Sequence, residues 1–161
     1  DYVVIGEGRT IMLESVDKAI NMIMKGSKLI ATNLDPNCPV GNGKFRAGCG
    51  AFVAMIEVAT GKKAFSVGKP SPVMMRMARK KLELATDDTV MIGDTMSTDI
   101  LGAGSMGFTT VLTLSGVTRE ADLDEFGYAP DFIIHSIQDL LDEALFEKVI
   151  EKHGRDQLVT V

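Results

Sequence analysis

Short apolar runs alternate with helix-like segments along most of this 161-residue chain. Runs such as Tyr2–Ile5, Lys28–Thr32 and Thr89–Ile92 have the length of strands, and segments with apolar positions at helical spacing lie between them. This alternation is typical of an α/β protein with a mainly parallel sheet. The sequence therefore predicts an α/β fold in which ligands bind where the parallel strands end.

Local signals predict where the remaining elements begin and end. Ser15 is the predicted N-cap of the first helix and Gly26 its end, while Ser71 followed by Pro72 starts a later helix. The stretch NLDPNCPVGNGKFRAG, residues 33–48, is interpreted as a long functional loop. Other predicted strands are 64–70, 109–114 and 131–134, other predicted helices are 50–59, 97–106 and 137–146, and the polar tail after Lys152 is expected to fray.

Composition narrows the classes of function. The net charge is −5 with acidic and basic residues interspersed, which disfavours a nucleic-acid partner because no extended positive field is available. No apolar run approaches membrane-spanning length, and the first residues lack a secretory signal pattern, so we expect a cytoplasmic protein without a membrane partner. Cys38 and Cys49 have no metal-ligand spacing and are expected to be free thiols.

The stretch VMIGDTMSTDILGAGSMG, residues 90–107, carries the most informative chemistry. Asp94 follows a predicted strand, Asp99 comes five residues later, and Lys69 ends the preceding predicted strand. Because neighbouring parallel strands end at one edge of a sheet, Lys69 and Asp94 are expected at the same crevice. A carboxylate there suits Mg²⁺, and an ammonium group counters the charge of a phosphoryl group. These groups together favour metal-assisted phosphoryl chemistry.

Taken singly, each of these residues has a simpler explanation. Asp94 could be a turn residue, Asp99 could favour the positive end of a helix, and Lys69 could be a surface lysine before proline. Their order along the chain favours a functional site over these simpler explanations. A strand, Gly-Lys-Pro, a capped helix, a second strand and Gly-Asp-x-x-x-x-Asp follow one another.

That set resembles the haloacid dehalogenase-like (HAD) phosphatases, and more closely their NagD-like or p-nitrophenylphosphatase-like branch with a large α/β cap. The resemblance is carried by VGKPSP at residues 67–72 and by IGDTMSTDILGAGSMGFTTVLTLSGVT at residues 92–118, and LIATNLDPNCP resembles the end of the cap. It implies that residues 63–161 are the C-terminal part of a HAD-like, Rossmann-like three-layer αβα core. Residues 1–62 would be a partial α/β cap.

The resemblance also implies roles for individual residues. Lys69 would bind the phosphate and counter the nucleophile's charge, Asp94 would ligate Mg²⁺, and Asp99 would support the metal site. Asn33 and Asp35 would lie near a substrate-facing loop of the cap. The implied activity is Mg²⁺-dependent hydrolysis of a phosphate monoester, with a small phosphorylated metabolite as substrate.

One part of the family pattern is missing. The family nucleophile and its general acid/base lie in Asp-x-Asp-Gly-Thr, and no Asp-x-Asp-Gly occurs in this sequence. We interpret the chain as beginning inside the cap, although a degenerate core with Gly6 and Gly8 at the two Asp positions stays possible. Glycine can neither attack phosphorus nor transfer a proton, so the chain alone is expected to be inactive.

The missing nucleophile strand would lie beside the strand that ends at Asp94, so that edge of the sheet needs a cover. We expect either a homo-oligomer or residues Tyr2–Thr32 acting as a surrogate unit. A second hypothesis for function is a non-catalytic module that binds phosphate and metal or serves assembly. The stretch GEGR after the first strand suggests a dinucleotide-binding domain, but the third glycine of that motif is missing. A phosphoacceptor receiver domain also places an Asp at a strand end, but the Gly-Asp-x-x-x-x-Asp spacing and the preceding GKPSP do not suit it.

Overall fold

The computed structural model describes residues 1–8 and 10–151, together with the backbone of Val159–Thr160. The described chain is a mixed α/β protein with parallel sheets, which confirms the predicted class. It divides into two compact units, Asp1–Gly68 and Lys69–Val161. The predicted boundary between residues 62 and 63 falls before a strand that pairs within the first unit. Whether the two units are a cap and a core stays a prediction.

The first unit is built on a parallel sheet with two helices. Its strands, in the spatial order β1-β2-β5, are β1 (Tyr2–Ile5), β2 (Lys28–Ala31) and β5 (Phe65–Ser66). Helices α1 (Leu13–Met24) and α2 (Cys49–Thr60) pack on it through a shared apolar core of Val3, Val16, Ala19, Ile23, Leu29 and Ile56. Each large apolar side chain buried in this way contributes about 1.5–3 kcal/mol to stability. The apolar residues of α1 recur at helical spacing and so lie on one face, and this face packs against the sheet.

Residues 33–48 contain a β-hairpin, so the prediction of one long loop is wrong for most of this stretch. Strands β3 (Asn37–Pro39) and β4 (Phe45–Ala47) pair antiparallel. Their turn contains Asn42 and Gly43, which have φ angles of 52° and 67°. Asn-Gly is favoured in tight hairpin turns because both residues tolerate the left-handed region. The turn signal was therefore present in the sequence.

The second unit is built on a four-stranded parallel sheet in the order β6-β7-β8-β9. Its strands are β6 (Val90–Gly93), β7 (Thr109–Thr113), β8 (Phe132–Ile134) and β9 (Val159–Thr160), and its helices are α3 (Pro72–Lys81), α4 (Leu101–Met106) and α5 (Glu143–Ile150). Only the backbone of β9 is described in the tail after Lys152, so the predicted fraying lies largely outside the described residues. None of the described helices is long and apolar enough to cross a bilayer.

The helix boundaries correct three predictions. Helix α1 begins at Leu13 without a side-chain cap, so Ser15 is not its N-cap. The predicted helix 97–106 begins as a π-helical turn, Met96–Ile100, before α4. The predicted helix 137–146 is a 3₁₀ turn followed by α5, because the Asp142 carboxylate accepts a hydrogen bond from the Leu145 N–H and starts a new helix.

Two smaller predictions are confirmed. The Ser71 hydroxyl caps α3 by accepting the Val73 N–H, with proline at the first turn. Cys38 and Cys49 are both free.

One edge of the second unit's sheet is open within the described residues, because β6 pairs there with β7 alone. In the first unit, β1 and β2 pair with each other and β2 also pairs with β5; cover of the β6 edge by Tyr2–Thr32 stays a prediction. The alternative cover, a second copy of the chain, stays a prediction.

Candidate active site

Asp94 lies at the carboxyl end of β6, where the loop after β7 surrounds it. Its Oδ2 accepts the Val117 N–H at 3.2 Å and its main-chain oxygen accepts the Thr118 N–H at 2.9 Å. Its Oδ1 accepts the Thr95 hydroxyl at 3.1 Å. A Cβ on Gly116 would overlap the Asp94 side chain, so only glycine lets this loop approach so closely. The carboxylate is therefore held by backbone and hydroxyl donors from two segments.

Asp99 is buried in the π-helical turn, with 3% of its surface exposed. Its N–H donates to the Thr95 carbonyl at 2.9 Å, and its Oδ2 accepts the Thr95 N–H at 3.2 Å. A Cβ on Gly93 would lie within 2.6 Å of this Oδ2, so glycine before Asp94 makes room for Asp99. The turn thus holds both acids on either side of Thr95, and π-helical turns are frequent at functional sites.

Lys69 approaches from the start of the second unit and donates from Nζ to Asp99 Oδ1 at 2.5 Å. The Lys69 side chain is 43% exposed while that of Asp99 is only 4% exposed, so one end of the pair faces solvent. A Cβ on Gly102 would meet Pro70 backbone atoms at 3.1 Å, which shows how closely α4 approaches this segment. The Lys69–Pro70 peptide bond is cis.

The route by which Lys69 reaches the site differs from the prediction. Lys69 was expected at the end of a strand neighbouring β6 in one sheet. Strand β5 instead pairs with β2 in the first unit, and the chain continues through Val67 and Gly68 before Lys69. The Lys69–Asp99 contact therefore arises from the loop before α3 and from the π-helical turn, not from two adjacent strand ends.

Asn33 and Asp35, the predicted substrate residues, lie in the first unit. The Asn33 Oδ1 accepts the Asp35 N–H at 3.1 Å, so this amide side chain supports its own turn. Asp35 is exposed and Asn33 is half-buried. Within the second unit, by contrast, the structure brings Lys69, Asp94 and Asp99 into one network through Thr95.

Comparisons with known proteins show which family has a sequence similar to this segment. A family model described as HAD-hydrolase-like matches residues 66–140. Dihydroxyacetone phosphatase of Corynebacterium glutamicum (strain R) is 40% identical over 142 residues, which are 88% of this chain and 51% of that protein. Ribonucleotide monophosphatase NagD of Escherichia coli (strain K12) is 39% identical over 140 residues, which are 87% of this chain and 54% of that protein.

A solved structure agrees with these relatives. The glycerol phosphate phosphatase of Mycobacterium tuberculosis in complex with magnesium is 30% identical and superposes with a TM-score of 0.81. The match covers 87% of this chain and 42% of that one. The chain belongs to the HAD-like hydrolases. It spans about half the length of the curated HAD-like relatives it matches.

Mg²⁺, which HAD-like membership implies, has only part of a ligand set here. Asp94 accepts one hydrogen bond on each carboxylate oxygen, which leaves a lone pair on each for a cation. Asp99 is already engaged by Lys69 and by the Thr95 N–H. Among the described residues, no three His, Cys, Asp or Glu side chains cluster closely enough to hold a metal ion. The described residues therefore supply one carboxylate ligand, Asp94, and not a complete Mg²⁺ site.

Several residues of this HAD-like site were not singled out from the sequence. Thr95, Thr118 and Gly116 touch Asp94 or its peptide, and Tyr128 reaches the same turn from outside the motifs. The sequence signal for the contact of Gly116 and Thr118 with Asp94 was the resemblance of residues 92–118 to the family, which includes Ser-Gly-Val at residues 115–117. Nothing local marks Tyr128, because its contact with Met96 spans 32 residues.

Proposed function

We propose that this chain carries part of the active site of a Mg²⁺-dependent phosphate monoester hydrolase. The proposal rests on the hydrogen-bonded network of Lys69, Asp94 and Asp99 around Thr95, which lies inside the segment that matches the HAD-like family. In the proposal, the exposed part of Lys69 binds a phosphate oxygen, Asp94 supplies one Mg²⁺ ligand, and Asp99 orients Lys69 and the Thr95 amide. Fixed charges of this kind stabilise the charge that develops in phosphoryl transfer.

The substrate class is proposed from the relatives. Proteins similar to this chain are described as dihydroxyacetone phosphatase, ribonucleotide monophosphatase and glycerol-3-phosphate phosphatase. Each name describes a phosphatase of a small metabolite. We therefore propose a small phosphorylated metabolite as the substrate, with Asn33 and Asp35 as candidate substrate contacts of the first unit.

The chain by itself is proposed to have little or no turnover. Its sequence contains no Asp-x-Asp-Gly, and the Asp99 carboxylate is only 4% exposed and is bound to Lys69, which leaves little access for a substrate. The test measures p-nitrophenyl phosphate hydrolysis with Mg²⁺ for the 161-residue chain and for the chain joined to a preceding segment containing Asp-x-Asp-Gly-Thr. We expect hydrolysis only from the joined protein, and its loss in Asp94→Asn. Robust hydrolysis by the chain alone, abolished by Asp94→Asn, would refute the proposed inactivity.

A non-catalytic phosphate-binding or assembly module is the second candidate, and the missing Asp-x-Asp-Gly favours it. A ligand that binds only the folded state raises its melting temperature. Phosphate-dependent stabilisation that is lost in Lys69→Ala would support this module if the joined protein shows no hydrolysis.

The partner and location also stay proposals. A homo-oligomer could cover the open edge of β6, because unpaired backbone groups on an edge strand favour further pairing. Light scattering tests this cover, since a strictly monomeric chain whose β6 amides exchange freely would contradict it. The cytoplasmic location and the absence of nucleic-acid and membrane partners remain predictions from the sequence.

A further inference from the structure

The peptide groups of Met96 lie between the two candidate acids and are held from both sides. We propose that Thr118 and Tyr128 are positioning residues, which clamp Met96 and thereby fix the turn that carries Asp94 and Asp99. The inference rests on the proposed roles of these two acids. Its experiment measures the geometry of the turn and not hydrolysis, so the two proposals can fail separately.

The clamp consists of two hydrogen bonds to one residue. The Met96 N–H donates to Thr118 Oγ1 at 3.1 Å, and the Met96 carbonyl accepts the Tyr128 hydroxyl at 3.0 Å. Met96 is 1% exposed and Thr118 is 5% exposed, so water does not compete freely for these groups. A buried amide without an acceptor is strongly destabilising, which makes the Thr118 hydroxyl hard to replace by an apolar group.

Thr118 is also tied directly to Asp94. The Thr118 N–H donates to the Asp94 main-chain oxygen, and the adjacent Val117 N–H donates to the Asp94 carboxylate. One short segment therefore fixes the carboxylate, the peptide of Asp94 and the peptide of Met96. A shift of the backbone at Val117 and Thr118 would therefore move all three together.

Tyr128 is held in place by apolar packing, which directs its hydroxyl toward the turn. Its ring lies 5.6 Å from that of Phe126 at an interplanar angle of 59°, and both rings pack against the cluster of Met96, Ile100 and Leu112. Burial raises the pKa of Tyr128, so the phenol stays protonated and can donate at neutral pH. The second arm of the clamp is thus available under physiological conditions.

The test uses four single variants of the full chain. Thr118→Val removes one arm and keeps the shape of the side chain, Thr118→Ser keeps the hydroxyl, and Tyr128→Phe removes the other arm. Tyr2→Phe is the matched control, because Tyr2 is 68% exposed in the first unit and loses the same hydroxyl. Amide hydrogen exchange of residues 95–99, the χ1 rotamer populations of Asp94 from three-bond NMR couplings, and urea unfolding are measured for each.

We expect Thr118→Val to accelerate exchange of the Met96 amide by at least about fivefold relative to amides of β7. Asp94 should change from one rotamer to a mixture in Thr118→Val and, to a smaller extent, in Tyr128→Phe. Thr118→Ser should restore the single rotamer, and Tyr2→Phe should change nothing in the second unit. A merely structural role would lower stability without redistributing the Asp94 rotamers.

Three results would overturn the proposal. The first is an unchanged Asp94 rotamer in both Thr118→Val and Tyr128→Phe. The second is failure of Thr118→Ser to restore it, and the third is an equal effect of Tyr2→Phe. If Thr118→Val does not fold, Tyr128→Phe decides, since an unchanged rotamer and unchanged exchange in that variant contradict the clamp.

Discussion

Two strand ends in this chain have almost the same local sequence, VVIGE at residues 3–7 and VMIGD at residues 90–94. Both are apolar strands of parallel sheets, and both place an acid directly after a glycine. Glu7 is nevertheless exposed, and it pairs with the Arg46 guanidinium at 3.1 Å and with the Cys38 thiol at 3.4 Å. Asp94 is half-buried and belongs to a network with a second acid and, through it, a lysine.

The difference between the two ends comes from residues outside the shared pattern. Five positions after Asp94 stands Asp99, whereas five positions after Glu7 stands Met12, an exposed apolar residue. The two glycines differ in the same way, because Gly93 faces Asp99 and Gly6 has only ordinary contacts of 3.5 Å with Thr32. A strand followed by glycine and an acid therefore does not by itself predict a cluster of charged side chains. The residues that follow the acid decide whether such a cluster forms.

The largest expected effect follows from the two glycines. Gly93→Ala should destabilise the second unit by about 2–3 kcal/mol, because the new methyl group overlaps the buried Asp99 side chain. Gly6→Ala should change the stability of the first unit by less than about 1 kcal/mol, since its Cβ fits. Urea unfolding followed through amide resonances of each unit measures both changes. Equal costs at the two positions would remove the proposed difference between the strand ends.

The second-largest expected effect is a difference between the Lys69–Asp99 and Glu7–Arg46 ion pairs in what they contribute to stability. Asp99→Asn weakens two hydrogen bonds to a carboxylate that is 4% exposed, and should cost about 1.5–3 kcal/mol. Glu7→Gln breaks a pair whose side chains are 46% and 42% exposed, and should cost at most about 1 kcal/mol. The same unfolding experiment compares them. A larger loss for Glu7→Gln would contradict the view that burial distinguishes the two acids.

The coupling energies of the same two ion pairs should also differ in how strongly they depend on salt. At about 1 M salt the screening length falls to about 3 Å, so the exposed Glu7–Arg46 coupling should vanish while part of the Lys69–Asp99 coupling, whose Asp99 end is buried, persists. Double-mutant cycles at low and high salt measure each coupling. Equal salt sensitivity would mean that the Asp99 end of its pair is as well solvated as Glu7.

The smallest expected effect is a pH dependence confined to the first unit. The Lys63 ammonium and the Ala64 N–H bind Glu57 and lower its pKa below the ordinary 4.5. Because the folded pKa is depressed, this stabilisation is present above pH 4.5 and is lost as the pH falls through the folded value. Glu57→Gln should flatten that part of the first unit's stability profile. An unchanged profile in the variant would assign the acid sensitivity to other groups.

Sequence patterns predicted much of this molecule, and the failures have physical causes. The strand at residues 90–93 was predicted because a local apolar run ends there at glycine, directly before Asp94, while the roles of Asp94 and Asp99 stay predictions. The pairing of β5 with β2 was missed because a two-residue strand has no periodicity that identifies its partner. The contacts of Thr118 and Tyr128 with Met96 were missed because they depend on how distant loops pack.

The difference between the strand ends can be tested directly by titrating the isotope-labelled chain with MgCl₂ and orthophosphate. We predict amide shifts at Lys69, at residues 94–99 and at Val117 and Thr118, saturating at about millimolar concentration, which corresponds to about −4 kcal/mol. These shifts should be lost in Lys69→Ala, and the amides of Glu7 and Arg46 should not move. Shifts centred on Glu7 and Arg46, or no response around Asp94, would contradict the account.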